Sequence, residues 1–132
     1  MKKILLVLFV IVFPLTINAQ EREIEKVYKA SKLDVQPEYP GGLRVFYKYV
    51  NMNFRMPETD KDGTFVIKTS FVVEKDGSMT NLQIDDSPEK SFSDEALRLL
   101  SQVKEKWSPG KRKGQIVRSL VNFPITITVR SH

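Results

Sequence analysis

The chain contains no cysteine, which excludes disulfide bridges, thiolate metal ligands, thiol catalysis and lipid attachment at a cysteine. Stability must then come from the hydrophobic core alone. It has one histidine, the terminal His132, so a Ser-His-Asp site would have to be assembled on a chain end, where fraying is the rule. Repeats and low-complexity tracts are absent. The unbroken apolar run from Ile4 to Phe13 is well short of the ~20 residues that a membrane-spanning helix needs. Basic residues are dense only at Lys111, Arg112 and Lys113, a patch too short for a nucleic-acid-binding stripe and readable as a solvated loop. Carboxylates pair at Asp60 with Asp62 and at Asp85 with Asp86, but no full calcium loop follows, and solvated turn residues account for both. Gly41-Gly42 lacks the further glycine and the lysine of a phosphate loop. No catalytic residue, cofactor site or metal site is expected, and a non-enzymatic role follows.

What remains has the composition of a folded globular protein, with 41% hydrophobic and 28% charged residues. Met1 to Ala19 shows the three zones of a secretory signal peptide: Lys2 and Lys3, the apolar run, and Ile17-Asn18-Ala19 before Gln20. An uncleaved membrane anchor is the alternative. Removing residues 1–19 from 132 leaves about 113, enough for one domain with one core. The net charge drops from +5 to +3 as Lys2 and Lys3 leave. The expected organisation is an export segment 1–19, a lead-in 20–26 and a single domain 27–132, working in a compartment beyond the inner membrane.

Within the domain, Val27 to Val35 reads as a short strand stopped by Pro37 and Pro40. Leu43, Phe46, Tyr47, Val50 and Phe54 fall on one face of a helix, ended by Pro57. Thr64 to Asp86 alternates apolar and polar side chains around Asp76-Gly77, the pattern of a β-hairpin. A second helix capped by Ser91 or Ser93 carries Phe92, Ala96, Leu99, Leu100, Val103 and Trp107 at helical spacing, with Trp107 as a core anchor. Ile116 to Arg130 forms a long half-buried strand with Val117, Val121, Phe123, Ile125, Ile127 and Val129 on one face. Pro124 inside it has no N–H to give, which places its second half at a sheet edge. The expected class is α+β, a small antiparallel sheet of three to four strands with two helices on one face.

Four motifs in order then resemble one family: Pro37-Glu38-Tyr39-Pro40-Gly41-Gly42, Ser70 through Ser78 at the hairpin, Asp94-Glu95-Ala96-Leu97-Arg98, and Trp107-Ser108-Pro109-Gly110 through Gly114, followed by Val117 to Ile125. Together they are similar to the C-terminal domain of TonB, in the variant common in Bacteroidetes-type bacteria, over roughly Val27 to Val129. The resemblance implies capture of the TonB-box segment of an outer-membrane transporter by strand addition, in which main-chain hydrogen bonds supply affinity. It also implies a recognition strand of Ile116, Val117, Arg118, Ser119, Leu120, Val121, Asn122 and Phe123, with Met56 and Pro57 close to the bound peptide. The sequence departs from the family where Met56-Pro57 replaces Tyr-Pro and where Phe65 replaces a glycine. It also lacks a proline-rich spacer: about ten residues join Gln20 to the first strand, reaching on the order of 35 Å when extended. A stand-alone periplasmic binding module is therefore expected. The competing readings are a homodimer paired through the same edge and an anchored energy transducer retaining residues 1–19. Mass spectrometry of the exported protein tests the anchored transducer, with a chain beginning at Gln20 expected and an intact Met1 pointing to the anchor.

Overall fold

The protein is described by a computed structural model covering residues 25–130. The expected export segment, the lead-in up to residue 24 and His132 lie outside the described residues. The alternating segment folds as expected into an antiparallel hairpin, β2 (Gly63–Val73) and β3 (Met79–Asp86). Asp76 closes the turn by accepting hydrogen bonds from the N–H and Oγ of Ser78 at 3.0 and 2.6 Å. Beside it, β5 (Gln115–Val129) pairs antiparallel with β2 in unbroken register from Gly63↔Val129 to Val73↔Ser119. Alternation along both strands turns Ile67, Phe71, Val73, Phe123, Ile125 and Ile127 inward.

Two helices cover that inner face. In α1 (Leu43–Asn53) Phe46 and Val50 are fully buried, and Phe46 meets Phe123 and Phe71 at ring separations of 4.7 and 6.2 Å. In α2 (Lys90–Ser101) Phe92, Ala96, Leu99 and Leu100 are buried, and Phe92 lies 6.1 Å from Phe65. Tyr47 of α1 stacks over Phe123 at 4.5 Å, so α1 covers the β5 side, while α2 packs on β2 and β3. The α+β class and the single-sided helix layer are thus as the sequence implies.

The rest of the sheet differs in informative ways. Strand β1 is only Val27–Lys29 and runs parallel to β5, making the sheet mixed, in the order β1-β5-β2-β3. The chain leaves β1 through a 3-10 turn at Ala30–Lys32, and Val35 keeps a single bridge to Lys111. Burying both Ala30 and Leu33 requires side chains three residues apart on one side, which a 3-10 turn provides and an extended strand does not. The basic patch is not a free loop either. Gly110–Arg112 forms β4, which pairs with Gln115–Val117 of β5 across Lys113 and Gly114. Both turn residues have positive φ, 50° and 77°, as a type I′ hairpin turn demands.

Helix α2 begins after Glu89, whose extended backbone (φ −146°, ψ 150°) makes it the N-cap, so neither Ser91 nor Ser93 caps it. Instead the Oγ atoms of Ser87 and Ser93 both donate to the Glu89 carbonyl. The helix also stops at Ser101, leaving Val103 and Trp107 beyond it. Trp107 nevertheless reaches the core, because its N–H donates to the Gly77 carbonyl at 2.9 Å and Ser108 pairs with Glu38.

The tip of the hairpin is therefore clamped to the tryptophan. Gly77 has φ 86°, and a Cβ there would run into the Trp107 carbonyl oxygen. Gly77→Ala is expected to destabilise the fold by more than ~1 kcal/mol. In thermal unfolding this lowers the midpoint by roughly 4–8 °C or more, whereas an alanine at Ser78 should cost less.

Candidate functional site

A sheet that binds another strand needs a row of unpaired backbone groups, and this sheet has two outer edges. The β3 edge is irregular: its pairing with β2 shifts register between Lys68 and Thr69 and again between Ser70 and Val72, and Asn81 takes a left-handed φ of 51°. It ends in Asp85-Asp86. Bulges and charges of this kind discourage further pairing.

Strand β5 is occupied in part. Ile116 pairs with Lys111 and Val117 with Gly110 of β4, while Arg118, Ser119 and Leu120 pair with Val27, Tyr28 and Lys29 of β1. Beyond Leu120, Val121, Asn122 and Phe123 pair with Phe71, Ser70 and Thr69 of β2. From Val121 to Val129, β2 is the one strand neighbour among the described residues. Of the eight strand residues expected at the site, five already carry a partner from β1 or β4 and three do not.

One hydrogen bond shows which groups face outward. Thr69 Oγ1 donates to the Phe123 carbonyl at 2.5 Å, so that carbonyl points toward β2. A residue's N–H and C=O share one side of a strand, and successive residues alternate. Asn122, Pro124, Thr126 and Thr128 therefore face away from β2. All four are exposed. The open edge offers a donor and an acceptor at Asn122, an acceptor alone at Pro124, then donor and acceptor again at Thr126 and Thr128. The proline is placed where its missing N–H takes nothing from the internal ladder.

A cavity of about 220 Å³ opens where β1 turns away from this edge. Its walls include Ala30 and Ser31 of the 3-10 turn, Leu43 and Tyr47 of α1, Trp107, and Leu120 through Phe123. This explains why Leu43, expected in the core, is 52% exposed.

Charged groups around the edge are mostly committed to the fold. Arg118 grips the Glu74 carboxylate with Nε and Nη2 at 2.7 and 2.8 Å, and its Nη1 donates to the Glu25 carbonyl. Met56 and Pro57 sit in a loop fastened to α2, through Arg55 N–H to Glu95 at 2.6 Å and Thr59 Oγ1 to Glu89 at 2.8 Å. Met56 is exposed and Pro57 half-buried. Glu95 also accepts from Arg98, whose Nη2 reaches the Asn53 carbonyl at the end of α1.

A family model described as the Gram-negative bacterial TonB protein C-terminal matches residues 59–127. The chain belongs to the TonB C-terminal family. The matched stretch begins after α1 and contains the hairpin, α2, β4 and β5 up to Ile127, so the open edge from Val121 to Ile127 lies within it. No curated protein and no solved structure matches the chain. The family places this TonB C-terminal domain among periplasmic-type domains that interact with other proteins. Among the described residues, no helix is long and apolar enough to cross a membrane.

Sequence reasoning missed the parallel β1, the β4 hairpin and the cavity. The hairpin had one signal, Gly114 after Lys113, obscured because lysine is an uncommon occupant of a left-handed position. The cavity joins four separate segments, and nothing local announces it.

Hydrogen bonds from Arg98 hold the Glu95 carboxyl below its usual range, and those from Arg118 do the same for Glu74, in each case against the opposing effect of burial. The unfolded state therefore binds more protons than the folded one as acid is added. The stability these pairs contribute is fully present above the ordinary glutamate pKa of ~4.3 and is lost as pH falls through the lower folded values. Denaturant titrations are expected to show constant stability from neutral pH to about 5 and a decline below that range. Glu95→Gln should cost about 1.5–3 kcal/mol at pH 7 and flatten the acid decline.

Proposed function

We propose that this TonB C-terminal domain is a periplasmic binding module that captures an extended segment of an outer-membrane transporter by strand addition. The observation that carries the reading is the open stretch of β5, Val121–Val129, with the outward backbone groups of Asn122, Thr126 and Thr128 unpaired by any strand among the described residues. Added strands gain affinity from main-chain bonds, and such bonds need regular, extended, accessible backbone. The edge has it. Pairing of Ile116 to Leu120 with β4 and β1 supports a site beyond Leu120. Residues 1–19 are proposed to direct export and to be removed before Gln20.

Strand addition at this edge depends on backbone N–H groups more than on side chains, which makes proline the informative substitution. Asn122→Pro and Thr126→Pro remove outward donors while leaving the ladder to β2 intact. In pull-downs from a periplasmic and outer-membrane extract, the wild-type domain is expected to retain a transporter, and titration of its TonB-box peptide should lose at least tenfold in affinity with either variant. Asn122→Ala and Thr126→Ala should bind nearly as wild type. Retention of the transporter by both proline variants at full strength would refute the edge as the site. Recovery of the chain's own copies alone, with concentration-dependent elution on a sizing column, would replace this reading with a homodimer.

A further inference from the structure

The cavity beside the open edge gives the proposed contact a side-chain specificity. On strands lying next to one another, residues directly opposite project to the same face of the sheet. A residue added opposite Val121 or Phe123 would therefore point to the helix-covered face, where the cavity opens between α1, Trp107 and the 3-10 turn. Its residue neighbours in the added strand would point to the solvated face, with Asn122 and Pro124. One position of the partner thus meets this pocket, and the adjacent ones meet the solvated face, where a more open hollow is lined by Lys68, Thr69, Asp85, Asn122, Phe123 and Pro124.

The cavity's size and lining narrow what enters it. About 220 Å³ is below the ~300 Å³ at which pockets for small-molecule ligands begin, and it is open along the strand edge. Its lining is largely aromatic and aliphatic, with Tyr39, Tyr47, Trp107, Phe123 and Leu43. Glu38 is the single ionisable acid among the lining residues, and no lysine, arginine or histidine joins it. An acidic side chain would be desolvated there beside a like charge and without a counter-ion. Resting on strand addition at β5, we infer that the cavity is an anchor pocket for one large apolar side chain of the added strand. Recognition then combines a short ladder at Asn122, ended by the missing donor of Pro124, with one buried residue and a bias against acids at that position.

The test uses the exported protein and a random library of displayed dodecapeptides, followed by fluorescence polarisation with a retained peptide. Trp107 is the chain's single tryptophan and part of the pocket wall, so its emission reports occupancy directly. Retained peptides are expected to share one large apolar position. Aspartate there, which leaves the protein untouched, should cost at least tenfold in affinity. Ser31→Phe, which narrows the pocket from an exposed position, should cost a similar factor and abolish the Trp107 emission change on binding. Peptides whose binding falls with Asn122→Pro yet is indifferent to the apolar position, to Ser31→Phe and to Trp107 emission would overturn the pocket while leaving strand addition intact. A folded protein that retains no peptide would overturn both.

Discussion

The fold depends on how Trp107 is held. It lies outside any helix or regular strand pairing, yet it is 4% exposed and touches Phe46, Tyr39 and Phe71 at ring separations of 4.9, 5.6 and 5.4 Å. These rings come from α1, the segment before it, and β2, so one residue joins three parts of the chain that are distant in sequence. The residue is fixed through its backbone: the main-chain N–H of Trp107 donates to the Gly77 carbonyl at the hairpin tip, and the next residue exchanges both main-chain hydrogen bonds with Glu38. Without disulfides, a domain of this size has few other means of closing its open end. Tilted and edge-on aromatic pairs of this kind add about 0.5–1.5 kcal/mol each beyond burial.

That closure also shapes the open edge of β5. The chain from Glu38 to Tyr39 is drawn against Ser108, and the helix that follows is set across β5 with Tyr47 over Phe123. Where the 3-10 turn lifts the chain off β5, the wall recedes and the cavity begins. The edge and the pocket are consequences of the same two constraints, the Trp107 clamp and the need to bury Ala30 with Leu33.

Much of this was legible in the residues because local signals agreed with the final fold. Strict alternation from Phe65 to Val73 and from Val121 to Val129 gave both long strands and their inward faces. Helical spacing gave Phe46 and Val50, and Phe92 through Leu100. Pro124 correctly marked the second half of β5 as an edge. What was hidden depended on contacts between segments. Nothing in Val27-Tyr28-Lys29 states that it runs parallel to β5, and the direction follows from where the long crossover through α1 and the hairpin leaves the chain. The extension of α2 to Trp107 failed because helical spacing continues past Ser101 in the sequence, while the pull of Gly77 and Glu38 on the Trp107 segment ends the helix in the structure. Of the recognition strand implied by family resemblance, Ile116 to Leu120 pair with β4 or β1, which no local pattern in those residues announces.

The open part of β5 then presents a physical problem that Pro124 resolves. A nine-residue stretch of exposed strand would pair with any similar edge, including its own copy. One missing donor in the middle leaves each side able to form only a few consecutive bonds, so a passing strand gains little from backbone alone. Selectivity must come from something that the right partner has and a second copy lacks. On the outer face, Asn122, Thr126 and Thr128 are small and polar and offer little discrimination, whereas the helix-side cavity at Val121 and Phe123 rewards one side chain with apolar contact. A weak, interrupted ladder beside a helix-side pocket is thus a means by which an exposed edge can remain open without becoming indiscriminate.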